Sequence, residues 1–194
     1  ERDLSLLAAK RIRDLGIACI TVSIGSTPTA FAVDDLQGIT EVRAGVYALF
    51  DLVMAGLGVC SINDIAISVL GSIIGFQHNK HIALTDAGWM AMSRDRGTAG
   101  QPIDQGYGVI CNAQGVVFTD LIMTSANQEH GIIGTRRAYE KDDKSTHFPF
   151  GLFQIGDLVS ILPNHACSTA AQFSEFYIVD GEKVVSSTQS ISGW

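Results

Sequence analysis

The stretch Pro163-Asn-His-Ala-Cys167 puts an imidazole and a thiol at positions i and i+2. In an extended chain such side chains share a face, so the two could reach one ion. Zinc takes nitrogen and sulfur ligands, and a zinc held by few protein groups keeps positions open for a substrate. A thiolate favours zinc over magnesium or calcium. A second stretch, Ser23-Ile-Gly-Ser-Thr-Pro-Thr29, suits a phosphate. Gly25 lets the backbone come close, and Ser26, Thr27 and the amides before Pro28 are donors. A third, Arg43-Ala-Gly-Val-Tyr47, puts a glycine where a strand gives way to a helix, and its amides could serve the same phosphate.

Each stretch also has a plainer reading. These are a buried cysteine beside a loop histidine, an ordinary capped strand-to-helix loop, and a tight turn with a packed tyrosine. Glu129-His130 could be an acid/base pair and Asp86 could orient a site group. Taken singly, each is read as structural. His78 and His81 read as surface residues in a turn with Lys80, and His147 is assigned no role.

The elements that must position these groups follow from periodicity. Leu4, Leu7, Ala8, Ile12 and Leu15 form one helical face over residues 3–15, and Gly16 stands where a helix ends. Ile17 to Val22 is a short apolar, β-branched run, read as a strand buried on both faces. It leads into the Ser23–Thr29 loop, which makes an α/β unit whose loop lies at the carboxyl end of a parallel strand. A second strand over 38–43 and a short helix over 47–54 complete a first segment, residues 1–56. Beyond it, runs at 65–76, 80–86, 107–112, 115–123, 157–162, 175–180 and 183–191 read as strands. Asn112–Gly115 and Asp180-Gly181 read as hairpin turns. Residues 139–147 read as an exposed polar loop. The fold expected is α/β plus β, with an all-β domain over 57–194.

Composition bounds the function. The chain has 194 residues, 46% hydrophobic and 17% charged, enough for a packed core. Its net charge of -7 argues against nucleic acid or an anionic membrane surface as the main partner. No apolar run reaches the ~18 residues of a membrane helix, and no signal-peptide pattern opens the chain. Cys19, Cys60, Cys111 and Cys167 lie far apart, with no C-x-x-C pair. They are read as reduced, in a cytoplasmic protein, and not as a zinc ribbon. The chain opens at Glu1 inside a helical pattern and is expected to be the C-terminal part of a longer protein.

Taken in order, the motifs resemble one family. They are Ser23-x-Gly-x-Thr-Pro-Thr29, Thr40-Glu-x-Arg-x-Gly-x-Tyr47 with Asp51, Thr85-Asp-Ala-Gly88, Gln105-Gly-Tyr-Gly108, Glu129-His-Gly131 and Gly156-Asp-x-Val-x-Ile-Leu-Pro-Asn-His-Ala-Cys167. They look like the C-terminal half of the metal-activated pyridoxal-phosphate enzymes of alanine racemase fold that act on D-3-hydroxy amino acids. The resemblance covers nearly the whole chain. It implies that residues 1–56 are the last part of a pyridoxal-phosphate-binding (β/α)8 barrel and that 57–194 are an antiparallel β-domain. It implies cofactor contacts from Ser23, Gly25, Ser26, Thr27, Gly45 and Val46, with Tyr47 beside the cofactor. His165 and Cys167 become the metal ligands, for zinc or an ion such as manganese. A homodimer is implied as well.

The same resemblance implies a lysine that forms a Schiff base, lying near the start of the family's barrel. Lys10, Lys80, Lys141, Lys144 and Lys183 are the lysines present, and none has such a setting. An N-terminal barrel half carrying that lysine is therefore the expected partner. The reaction implied is loss of water from a D-3-hydroxy amino acid. D-threo-3-hydroxyaspartate would give oxaloacetate and ammonia, and D-serine would give pyruvate and ammonia. Two alternatives remain: retro-aldol cleavage of a substrate such as D-threonine to glycine and an aldehyde, and a non-catalytic cofactor- or metal-binding module. Arg43, Arg136 and Arg137 are candidates, unranked, for a second substrate carboxylate.

Overall fold

The structure is a computed structural model that describes residues 1–141 and 146–191. Lys144 and the centre of the expected polar loop lie outside the described residues. The chain divides into two compact units, Glu1–Ala48 and Leu49–Trp194. Residues 49–56, expected with the first segment, fall in the second unit.

In the first unit, helix α1 (Arg2–Asp14) ends before Gly16, whose φ of +76° suits glycine. The strand expected over 17–22 is not formed. Instead strand β1 (Ser23–Ile24) pairs in parallel with β2 (Glu41–Val42), only two residues on each side. Ile17 and Ile20 are 57% and 84% exposed. A strand apolar on both faces needs neighbours and covering helices, and this unit offers it one short neighbour. Helix α2 (Thr27–Ala32) starts directly after β1, so a strand-to-helix loop does carry the Ser23–Thr29 motif.

The second unit is built on a closed antiparallel barrel. Its strands are β3 (Val69–Gln77), β4 (Ile82–Thr85), β5 (Val109–Asn112), β6 (Val117–Ala126), β7 (Gly131–Thr135) and β8 (Leu158–Leu162), in the order β3-β4-β7-β6-β5-β8. Register shifts at Ile73/Gly75, Val109/Cys111 and Met123/Ser125 bend β3, β5 and β6, which helps six strands close. The core includes Val69, Ile73, Ala83, Ile110, Met123, Ile133, Val159 and Ile161. Gly115, with φ of +80°, closes the turn at Asn112–Gly115 as expected, and the Asn112 side chain accepts the Gln114 and Val116 amides. Strands β9 (Glu175–Asp180) and β10 (Lys183–Gln189) form a hairpin of their own around Gly181.

Strand β7 was not expected, because its two glycines weaken the strand pattern. Of these, Gly131 is required by packing, as is Gly88 beyond the end of β4. A Cβ at Gly131 would lie 2.3 Å from the Met123 sulfur, and one at Gly88 would lie 2.5 Å from the Asn127 and Gln128 carbonyl oxygens. The motifs ending in Gly88 and Gly131 thus mark one close approach, with Thr85 opposite Gly131 in the β4–β7 ladder. No helix among the described residues is long and apolar enough to cross a membrane.

Candidate active site

Strand β8 carries the Pro-Asn-His-Ala-Cys stretch out of the barrel. Val159, Ser160, Ile161 and Leu162 are buried, and the strand is paired on both edges, to β3 and β5. The chain then turns at once into helix α6 (Ala166–Ala170). His165 is the last extended residue, with φ of -137° and ψ of 107°, while Cys167 already lies in the helix. The two therefore do not share a face by the alternation of an extended chain. They flank a strand-to-helix corner instead.

That corner is held from below by helix α3 (Leu52–Gly56). The Leu52 and Val53 amides donate to the Pro163 and Asn164 carbonyls at 3.1 and 3.2 Å. Asp51, 1% exposed, has one oxygen on the Met54 amide and the other on the Ala166 amide, both at 2.9 Å. Ala166 stands between His165 and Cys167, so one buried carboxylate fixes the backbone between them. Asn164 is 2% exposed and fully engaged. It donates to the Gly106 carbonyl at 2.7 Å and the Asp95 carbonyl at 3.2 Å, and accepts from Thr98 at 3.1 Å. Thr169 ties α6 to helix α4 (Trp89–Met92) through the Met92 carbonyl at 2.9 Å.

His165 Nδ1 lies 2.6 Å from an Asp95 carboxylate oxygen, with both side chains partly exposed. With Nδ1 engaged, Nε2 is the nitrogen left to bind an ion. Cys167 is exposed, and its thiol is pushed above the ordinary value by partial burial and then by the negative charge of Asp51. Cys111, fully buried in the barrel, is pushed up to about 11 by burial alone. Both thiols are protonated at neutral pH, and an ion binding at Cys167 displaces the proton. In metal-free protein, alkylation of Cys167 by iodoacetamide is expected to keep accelerating with pH beyond the point where a free cysteine levels off. Cys111 is expected to stay unlabelled until unfolding. A Cys167 rate that levels off no later than that of a free cysteine would contradict the raised thiol.

No group of three or more His, Cys, Asp or Glu side chains is arranged as a metal site among the described residues. The donor set at the corner is one imidazole nitrogen and one sulfur. It fits a borderline-soft cation that completes its shell with water or substrate.

The first unit carries the other predicted residues. Ser26 caps α2, its hydroxyl accepting the Thr29 amide at 3.1 Å. The Thr27 hydroxyl is buried with no partner. A Cβ at Gly25 would lie 2.9 Å from Arg43 Cβ. The Gly25 amide and the Thr29 hydroxyl donate to the two oxygens of Glu1, at 2.8 and 2.5 Å, and hold that carboxyl below the usual range. The loop thus gathers donors on an anion and leaves one buried hydroxyl spare, which suits a phosphate. The Ser23 hydroxyl is taken up by Glu41 and Arg43. Gly45 has open space around it, and Val46 and Tyr47 form one turn of 3-10 helix with Tyr47 52% exposed.

Other predicted residues have structural jobs. Asp86 accepts the Ser72 amide at 2.7 Å, tying β3 to the end of β4. Glu129 and His130 are exposed on the turn before β7. Arg136 donates to the Asp104 carbonyl at 3.0 Å and to the Gln105 side chain at 2.6 Å. The residue that sequence reasoning missed is Asp95. It lies 70 positions from His165 in a charged loop, and nothing in Ser93-Arg-Asp-Arg96 separates it from surface charge.

Comparison with known proteins defines the class. Residues 66–179 match the family described as "Putative serine dehydratase domain", and the chain belongs to that family. It is 48% identical over its whole length to D-threo-3-hydroxyaspartate dehydratase of Delftia sp. (strain HT23), covering 50% of that protein. It is 28% identical to D-serine dehydratase of Dictyostelium discoideum, over 95% of this chain and 46% of the relative. The solved Delftia enzyme superposes over 100% of this chain and 50% of its own, with TM-score 0.88 and 47% identity. A D-threo-3-hydroxyaspartate dehydratase, 47% identical over 100% of this chain, has also been solved with alanine in place of a histidine and, separately, of a cysteine two positions further on, the latter in a metal-free form. An alanine-racemase-like protein of Idiomarina loihiensis is 44% identical, with TM-score 0.82, over 97% of this chain and 48% of its own. The chain spans about half the length of the curated relatives it matches.

Proposed function

We propose that this chain is the metal-bearing half of a pyridoxal-phosphate- and divalent-metal-dependent dehydratase that removes water from a D-3-hydroxy amino acid. D-threo-3-hydroxyaspartate, giving oxaloacetate and ammonia, is the first candidate substrate, and D-serine is the second. The observation that carries this reading is the corner at the end of β8. There His165, with Nδ1 engaged by Asp95, and Cys167 are pinned through Asp51 and Asn164. The whole-chain identity to a dehydratase supports it, as does the matching histidine–cysteine spacing of the two alanine variants.

Pyridoxal phosphate, when bound, supplies an electron sink for a carbanion at Cα, and a divalent cation supplies a Lewis acid for a departing hydroxyl. The chain's own residues do the holding. Gly25, Ser26, Thr27, Gly45 and Val46 offer donors and close backbone approach to the phosphate, with Ser23 on the same loop and Tyr47 beside the cofactor. His165 Nε2 and Cys167 Sγ offer the cation two ligands, zinc before manganese. The first unit, read as residues 1–56 at its widest, is the last part of the cofactor barrel. The rest, to residue 194, is the metal-bearing β-domain. The lysine that binds the cofactor covalently belongs to the remaining half. Lys10, for comparison, is paired with Asp14 on α1 at 2.6 Å. The working form is a cytoplasmic homodimer. Its four cysteines are free, as a reducing compartment requires.

The test is product analysis on the full-length protein with pyridoxal phosphate and zinc, offered D-threo-3-hydroxyaspartate, D-serine and D-threonine, each with and without a chelator. Chelator-sensitive 2-keto acid and ammonia are expected. Glycine plus an aldehyde would place the protein with the aldolases. No turnover of any D-substrate would leave only a binding module.

A further inference from the structure

We propose that Asp95 is the positioning residue of the metal site. Its carboxylate accepts the Nδ1 proton of His165 and so commits Nε2 to the ion. The proposal rests on the reading of His165 and Cys167 as metal ligands.

Three observations carry it. The first is the 2.6 Å contact between His165 Nδ1 and Asp95 Oδ2. A neutral imidazole has one donor and one acceptor nitrogen. A carboxylate can only accept, so it selects the Nδ1–H form and leaves the Nε2 lone pair bare. Metal-bound histidines typically donate their other ring proton in this way, which fixes the ring and raises its basicity.

The second observation is that Asp95 is itself held in place. Its amide donates to the Ser93 hydroxyl at 3.2 Å, and its carbonyl accepts from Asn164 at 3.2 Å. Asn164 is the residue immediately before His165, so the carboxylate and the imidazole are tied through a second, backbone-mediated link. The Ser93 hydroxyl also meets the Ser168 hydroxyl, on the first turns of α6, at 3.3 Å.

The third is the backbone at Ser93, with φ of 69° and ψ of 171°, a region that side-chain-bearing residues rarely adopt. Such a conformation persists only where the surroundings determine it. Here the Ser93 amide donates to the Trp89 carbonyl at 2.8 Å and closes α4, two residues before Asp95.

The experiment uses full-length protein in four forms: wild type, Asp95→Asn, Asp95→Ala and His165→Ala. Two quantities are read. One is the zinc dissociation constant, by competition with a chromogenic chelator. The other is the ring tautomer of His165 in zinc-free, cofactor-free protein, from nitrogen-15 shifts of labelled histidine at mildly alkaline pH. The histidine signal missing in His165→Ala assigns the ring.

Wild type is expected to show the Nδ1–H form. In Asp95→Ala the balance shifts toward Nε2–H, and zinc binds about a hundredfold more weakly. Asp95→Asn, whose amide oxygen still accepts from Nδ1, keeps the tautomer and loses about tenfold. It also carries the test should the alanine variant fold poorly. An Nε2–H ring in wild type would overturn the proposal, as would alanine and asparagine variants that bind zinc within about twofold of wild type. If His165→Ala itself binds zinc like wild type, the metal reading falls and this proposal with it. If only the Asp95 variants are neutral, the metal reading stands and this proposal alone fails.

Discussion

Replacing His165 or Cys167 with alanine is expected to strip the full-length protein of its divalent ion and to lower turnover roughly a hundredfold or more. Outer partners of a metal commonly cost 10–100-fold when removed. A direct ligand, the role proposed for His165 and Cys167, should cost no less. The loss should not come from unfolding. Both side chains face solvent in part, and neither belongs to the buried core clusters of the barrel. The backbone amides that build the corner do not depend on either side chain. Metal content by mass spectrometry, melting temperature and turnover are therefore expected to separate. The first and third should collapse while the second moves little. Cys167→Ser and His165→Asn, which keep a polar atom nearby, should recover part of the metal at raised concentration. Retention of stoichiometric metal by both alanine variants would place the site elsewhere in the protein.

The other large effect is expected at Asp51, which touches no substrate in this reading. Its two oxygens satisfy the Met54 and Ala166 amides, and its side chain is almost wholly enclosed. Asp51→Ala removes a helix cap and leaves two backbone donors without their acceptor, one of them on the fully buried Ala166. Caps alone are worth about 1 kcal/mol, and a buried donor deprived of a charged acceptor costs about 1–3 kcal/mol more. Roughly 3 kcal/mol is the expected loss in unfolding free energy of the barrel unit, measured by urea titration. Asp51→Ser can restore the cap at Met54 but is too short to reach Ala166. It should recover about 1 kcal/mol and still bind zinc weakly, because the backbone between the two ligands is free to move. An alanine variant within about 0.5 kcal/mol of wild type would show that water replaces the carboxylate at no cost.

The β-domain was readable because its strands obey simple rules: apolar runs of the right length, turns marked by Asn, Asp and Gly, and a strand leading straight into the His–Cys stretch. Strand β7 escaped because two glycines, one of them demanded by the Met123 side chain, erase the local pattern. The run 17–22 misled in the opposite way. Its composition announces a strand between neighbours, and the unit Glu1–Ala48 holds only the short β2 beside it. The site was half legible. His165, Cys167 and the Gly25–Thr27 loop stand in contiguous motifs, whereas their geometry does not follow from spacing. The extended-chain argument for the i, i+2 pair fails because α6 begins between the two residues. Asp95 could not be found at all, since a charged residue in a polar loop looks alike whether it faces water or an imidazole.

The corner at residues 163–167 grows from β8, which is hydrogen-bonded to a neighbour along each edge and buried over Val159–Leu162. A strand so enclosed has no cheap way to breathe, because detaching it means opening the closed barrel. The imidazole end of the site is thus anchored to a strand that the barrel holds on both edges. The thiol end rides on a five-residue helix, an element short enough to fray. An ion held between them would be released from the sulfur side first.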